Sequence, residues 1–322
     1  MTRLMTKILM RESTRLYSSL LALLPSLQPY ARGPVFRRLY WALYRIWASE
    51  GPPVRTRLHG FTALLNRGNI YPFLVRNVPL FNAPLVQLVH QCASGKKRPL
   101  TVIDVGSATG DSVFLLKQRC PGSVAHFISV EGHPAFQQLL RENMRQFNDV
   151  TIVETLLARA PMKIRSLINQ HMGTATATGE SQVDASSLDS IPAIQAAHID
   201  LLKVDVDGFD GEVLAGAAQL LQRCQPAVIF EWHPKLAMDA GNNPFVAFKV
   251  LADSGYQRYL WFTNSGPFSH FTGVCSHDVL EHQRDYLLAI HARSGEHFDI
   301  VALPKHSQLD EIELAALEFA RT

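Results

Sequence analysis

Cysteine is scarce in this chain and shows no pairing pattern. Cys92, Cys120, Cys224 and Cys275 are scattered over 322 residues without a CxxC, which argues against a zinc ribbon or a disulfide framework. Long apolar runs are missing as well: residues 20–27 are interrupted by Pro25 and closed by Pro29, well short of the roughly 18 to 20 residues that a spanning helix needs. Arg11, Glu12 and Arg15 break the start before it becomes the apolar core of a secretory signal, so a cytoplasmic setting is expected. No GK[ST] loop occurs, which excludes a P-loop. With 19 Gly and 18 Pro the chain is neither collagenous nor wholly disordered.

Acidic residues are nearly absent from one part. Residues 1–98 hold fifteen Lys and Arg against Glu12 and Glu50 alone, whereas the remainder is net acidic, leaving a total charge of +3. This asymmetry divides the chain into a basic N-terminal extension, 1–98, and a domain, 99–322. The basic part calls for an anionic partner, a membrane surface reached through residues 1–50, or for the acidic domain of its own chain. Within it, residues 36–47 (FRRLYWALYRIW) place Phe36, Leu39, Tyr40, Leu43 and Trp47 on one helical face with Arg37, Arg38 and Arg45 beside it. That pattern suits a membrane interface, an inter-subunit contact in a homo-oligomer, or a helix covering its own core. Nucleic acid is not an expected partner.

Beyond this helical start the chain is an ordered alternation of elements. Residues 54–73 carry turn residues at Gly60 and 67–69 and read as a small β-hairpin, and 93–98 read as a linker. Strands are expected at Leu100–Val105, 125–130, 150–153, 199–206, Ala227–Trp232, 256–262 and 298–303. Helices are expected at 134–147, 212–223 and 278–292, with Ser307 and Asp310 capping a terminal helix. Such a succession predicts a doubly wound α/β sheet of seven strands. Residues 172–190, rich in Gly, Thr, Ser and Ala, read as an insertion over one end of it that could act as a lid.

The first of these strands runs into Asp104-Val-Gly106-Ser107-Ala108-Thr-Gly110-Asp111, a turn whose amide groups are expected to face a ligand. The spacing does not fit the GxGxxG of dinucleotide sites. D-x-G-x-x-x-G with an acid at the next strand tip, Glu131, resembles the binding turn of class I S-adenosylmethionine-dependent methyltransferases. There Glu131 would take both ribose hydroxyls, Asp104 would serve the methionine ammonium, and Gly106, Ser107, Ala108, Gly110, Asp111 and Gly132 would complete the cofactor site.

A second motif, IDLLKVDVDG at 199–208 followed by FDGEVLAGA, resembles the signature of the FkbM family of methyltransferases. VEGHP at 130–134, Ser187-Leu188-Asp189 and Ile229-Phe-Glu231-Trp-His233 extend the resemblance over about residues 100–303. It implies a Rossmann-like fold, S-adenosylmethionine as cofactor and O-methyl transfer to a hydroxyl of a sugar, glycan or related small molecule, with no obligatory metal. The chain departs from the family pattern at Ala108 (usually Asn), Gly132 (usually Pro), and Asp207 and Asp210 (usually Glu). A rival reading makes the chain a non-catalytic, membrane-adaptor protein with a degenerate methyltransferase domain.

Asp205, Asp207, Glu231 and His233 are the catalytic candidates, because all fall at carboxyl ends of strands, where open α/β sheets bind ligands. On extended chain Asp205 and Asp207 would share a side, as would Glu231 and His233. The four could form a proton-abstracting pair or oxygen and imidazole ligands for Mg²⁺, and the family resemblance favours the former. His233 leads as general base, against a structural strand-end role. The other histidines, His297 among them, have no spacing that singles them out.

Overall fold

The computed structural model describes residues 52–165, 168–169, 175–176, 182–294 and 296–316. The segment 1–50 and its aromatic stretch 36–47 lie outside these, as does much of 172–190.

The hairpin is present: β1 (Val54–Leu58) runs antiparallel to β2 (Phe61–Leu65), with Val54 opposite Leu65. His59 and Gly60 between them both have positive φ, 50° and 83°, which a two-residue turn matched to strand twist requires. After α1 (Tyr71–Asn77), helix α2 (Ala83–Lys96) covers most of the expected linker. Leu85, Leu88, Val89 and Cys92 recur at helical spacing and bury one face, so the helix continues until Lys97 adopts a left-handed conformation, φ 52°.

Then come β3 (Leu100–Val105), α3 (Asp111–Arg119), β4 (Val124–Glu131), α4 (Pro134–Met144) and β5 (Val150–Glu154). Five short strands succeed them, β6 (Leu156–Leu157), β7 (Met162–Arg165), β8 (Ile168–Asn169), β9 (Ala175–Thr176) and β10 (Gln182–Ser186). β10 lies between β6 and β7 in a small separate sheet. The chain continues through α5 (Pro192–Gln195), β11 (Leu201–Val204), α6 (Asp210–Ala215), α7 (Ala218–Cys224), β12 (Ala227–Trp232), α8 (Pro234–Asp239) and α9 (Val246–Asp253). It ends with β13 (Tyr256–Thr263), β14 (Phe268–Thr272), α10 (His277–Ser294), β15 (Phe298–Pro304) and α11 (Glu311–Ala315).

The main sheet has the order β14-β13-β15-β12-β11-β3-β4-β5. β5, β4, β3, β11 and β12 are parallel neighbours, and β15 inserts antiparallel between β12 and β13. This is the expected Rossmann-like, doubly wound sheet, with eight strands rather than seven. The additional one, β14, is a half-exposed edge strand with no continuous apolar run to announce it.

Successive residues of each strand feed two cores. Ile103, Val105, Val204 and Phe230 face α7, α9 and α10, while Val102, Leu201 and Ile229 face the hairpin, α2, α3 and α4. Helix 212–223 is in fact two helices. Gly216 breaks it where a Cβ would lie 2.3 Å from the carbonyl oxygen of Ala158, and the Asp189 carboxylate then caps the second half by accepting the N–H groups of Gln219 (2.8 Å) and Leu220 (2.9 Å). Asp310 caps α11 as expected, accepting from Ile312 and Glu313. No helix among the described residues is long and apolar enough to cross a membrane.

Candidate functional site

Strand order reverses between β3 and β11, and the crevice beyond their carboxyl ends is where such sheets hold ligands. Asp104, next to last in β3, has 2% exposure; neither carboxylate oxygen receives a hydrogen bond, and the Lys203 ammonium stands 3.3 Å from Oδ1. The turn after it is held by its own chain. The N–H groups of Gly106 and Ser107 both donate to the Val130 carbonyl (3.0 and 3.1 Å), the Ser107 hydroxyl donates to the Asp104 carbonyl (2.7 Å), and the Gly110 N–H donates to that of Ser107 (2.7 Å). These amides therefore lock the turn instead of facing a ligand, contrary to the expectation from sequence. Gly106 also has a different purpose: a Cβ there would sit 1.9 Å from the Asp205 carbonyl oxygen, so glycine lets the turn pack on the end of β11.

Glu131 completes this half. Its two carboxylate oxygens accept the N–H groups of Ala108 and His133, each at 2.7 Å, which ties the turn to the tip of β4. Burial pushes the Glu131 carboxyl up to about 7, against the pull of those backbone donors. Asp111 opens α3, takes a hydrogen bond from the Thr109 hydroxyl at 3.0 Å, and is raised by burial to about 6. Gly110 lies against Met144 and Leu140, and Gly132 against Leu156 of the small sheet.

The other half centres on β11, β12 and β15. β11 ends at Val204, and Asp207 is left-handed (φ 48°), so the chain from Asp205 to Asp207 is a turn and the expectation of two carboxylates sharing an extended face fails. Asp210 closes that turn by accepting the N–H groups of Val206 (3.3 Å) and Gly208 (3.2 Å). Burial, with Glu231 and Asp205 nearby, pushes the Asp207 carboxyl up to about 8. Lys203 reaches Asp205 as well, at 3.0 Å, and is its bridge to Asp104.

Glu231 is paired with His297, whose Nε2 lies 2.8 Å away. Burial opposes ionisation of Glu231, but the adjoining imidazole prevails and holds its carboxyl below the usual range. His233 stacks on His297 with ring centroids 5.1 Å apart, and its Nδ1 accepts the Leu236 N–H at 3.3 Å, capping α8. Asp299 stands opposite Glu231 in the antiparallel register of β12 and β15, and burial raises it to about 7. An open cleft lies here, lined by Asn82, Lys203, Asp205, Glu231 and Asp299, with Pro84, Leu85 and Ile229 as its apolar wall. Three non-glycine residues of this region, Asn82, Ala108 and Asp207, have positive φ (59°, 44° and 48°), a strained conformation that surrounding structure must enforce.

The structure thus gathers Asp104, Glu131 and the turn on one side and Asp205, Asp207, Glu231 and His233 on the other. Sequence reasoning missed Lys203, although it sits in the quoted motif, and missed Asn82, His297 and Asp299 altogether. Only the pairing of β15 with β12 brings the last two into the site. Among the described residues no group of three or more His, Cys, Asp or Glu is disposed to hold a metal ion.

Residues 104–257 match the model of the methyltransferase FkbM domain. This stretch is similar to a methyltransferase FkbM domain. Solved structures similar to it include methyltransferase FkbM from Methylobacillus flagellatus KT, at 14% identity over 50% of this chain and 40% of that one, with a TM-score of 0.38. An O-methyltransferase from Bacillus cereus in complex with SAH gives 14% identity, 72% and 86% coverage and a TM-score of 0.40. M. jannaschii TYW2 in complex with AdoMet gives 10%, 79% and 86%, and 0.38. No curated protein matches the chain by sequence. The matched stretch contains the glycine turn, Glu131, Lys203 and Glu231, whereas Asn82, His297 and Asp299 lie outside it.

Proposed function

We propose that the chain transfers a methyl group from S-adenosylmethionine to a hydroxyl of a sugar, glycan or related small molecule. The observation that carries this reading is a pair of buried carboxylates, Asp104 and Glu131, on adjacent parallel strands inside the matched stretch. Asp104, buried without a hydrogen bond, fits the ammonium of a methionine moiety. Glu131 spends one lone pair of each oxygen on a backbone N–H and keeps acceptor capacity on both for the two ribose hydroxyls. On this reading Ser107, Ala108 and Asp111 line the cofactor, while Gly106, Gly110 and Gly132 shape the backbone around it.

Bound there, S-adenosylmethionine supplies a methyl group on a positively charged sulfur, open to in-line displacement. The protein's part is to hold the acceptor oxygen in line and manage its proton. Asp205, Asp207, Glu231 and His233 are proposed for the acceptor side. Because His233 Nδ1 accepts the Leu236 N–H, the proton of its neutral ring sits on Nε2, so His233 orients its neighbours rather than taking a proton. His297 takes that role: Glu231 holds its ring and stabilises the imidazolium formed when the acceptor proton arrives.

Titration with S-adenosylhomocysteine tests the reading. Saturable heat and a raised unfolding temperature are expected, and the absence of both would sink it.

A further inference from the structure

The pocket beside the donor site is unusually rich in hydrogen-bond acceptors. Asp205, Glu231 and Asp299 bring three carboxylates from three adjacent strand ends to one cleft. Asn82 donates one Nδ2 hydrogen to the Tyr71 hydroxyl at 3.4 Å and keeps its Oδ1 acceptor and a second N–H for a ligand. Lys203 is the one ammonium in the lining, and it is shared between Asp205 (3.0 Å) and Asp104 (3.3 Å). His297 pairs with Glu231, and its charge also favours the ionised forms of Asp299 and Asp207. Asp299 has no salt-bridge partner among the described residues; burial raises its carboxyl to about 7, with Glu231 and Asp205 adding to the rise and His297 and Lys203 opposing it.

Such a lining is complementary to hydrogen-bond donors and to positive charge. A phosphate group offers acceptors and negative charge, and would be repelled. Hydroxyl groups suit the carboxylates, Pro84, Leu85 and Ile229 offer a wall for a C–H face, and a protonated amine would answer the surplus of negative charge. We propose that the acceptor is a hydroxylated compound bearing a protonated amine, of the amino-sugar class, and that the pocket discriminates against phosphate-bearing sugars. This rests on the methyl-transfer reading and names the substrate class for the same site.

The test uses the full chain saturated with S-adenosylhomocysteine and three probes at pH 7, glucosamine, glucose and glucose 6-phosphate, followed by saturation-transfer NMR. Glucosamine should bind at least about tenfold more tightly than glucose, as one added charge-assisted hydrogen bond provides, and glucose 6-phosphate should not bind. Asp299→Asn should remove most of the glucosamine advantage while S-adenosylhomocysteine affinity is retained, which also reports that the variant is folded. Equal affinity for glucosamine and glucose, tighter binding of the phosphate, or no binding by any probe would overturn the proposal. Failure of S-adenosylhomocysteine itself to bind would instead strike the methyl-transfer reading beneath it.

Discussion

Cofactor affinity should depend on pH through one residue, Glu131. In the free protein burial raises its carboxyl to about 7 from an ordinary value of 4.5, so near neutrality it is half protonated. Ribose hydroxyls donate to the ionised form, hence binding favours loss of the proton and affinity rises as pH rises through 7. The ionised fraction goes from about 0.1 at pH 6 to about 0.9 at pH 8, which corresponds to an increase in affinity of roughly tenfold, or about 1.4 kcal/mol. Calorimetric titration with S-adenosylhomocysteine at half-unit steps measures it directly. Glu131→Gln removes the titrating group and a charged acceptor, so it should bind roughly 10- to 100-fold more weakly at pH 8, with that step gone from the profile. It should also melt earlier, because the new amide cannot accept both the Ala108 and the His133 N–H groups. Asp111 and Asp207, raised to about 6 and about 8, titrate nearby, and the comparison of the two profiles isolates Glu131 from them. A flat wild-type profile, or one that survives unchanged in Glu131→Gln, would refute the assignment of this carboxylate to the ribose.

Replacing His297 by Ala should cut acceptor-dependent turnover by roughly 10² to 10⁴ with S-adenosylhomocysteine affinity preserved, whereas His233→Ala should act mainly through stability by uncapping α8; a larger kcat loss for His233→Ala would reverse the two roles. At the opposite end of the sheet, Asp200 has a fully buried side chain bound bidentately by Arg98 (2.9 and 2.7 Å) and by the Thr101 N–H. Burial opposes its charge, but Arg98 and Lys96 win and its carboxyl is lowered. Its stabilisation is therefore full above the unfolded value near 4 and lost as pH falls through the folded one, so Asp200→Asn should cost about 1–3 kcal/mol in urea unfolding at pH 7 and much less near pH 3. An equal deficit at both pH values would mean that charge is not the cause.

Locality decides how much of the fold and site the sequence made legible. The buried parallel strands β3 and β12 are continuous apolar runs, and Asp104 and Glu131 stand at strand tips where the order of elements already places a ligand. The break at Gly216 was invisible because its causes, the Ala158 carbonyl and the Asp189 cap, come from elsewhere in the chain. Gly106 could be identified as necessary but not for the right reason, since a glycine beside a ligand and a glycine beside the Asp205 carbonyl look the same in one dimension. His297 is the clearest case: its spacing carries no signal, and only the antiparallel placement of β15 on β12 sets it against Glu231.

The division of labour inside the site mirrors that distinction. Every residue assigned to the donor lies within the matched FkbM residues 104–257, on strands β3 and β4, the turns that leave them and the first residue of α3. The proposed acceptor cleft is different in origin. One wall comes from Asn82, Pro84 and Leu85 around the start of α2, in the part of the sequence that composition alone makes a basic extension, and another from Asp299 on β15. Both lie outside the matched residues, and both reach the cavity only because α2 packs on the face of the sheet and β15 inserts between β12 and β13. A sheet that fixes donor chemistry through its first parallel strands can then change acceptors by altering what covers or borders its later ones, without disturbing the carboxylates that hold the donor. On the proposed reading residues 52–98 contribute to substrate choice as well as to folding, and substitutions at Asn82 or Leu85 are expected to alter acceptor preference before they alter cofactor affinity.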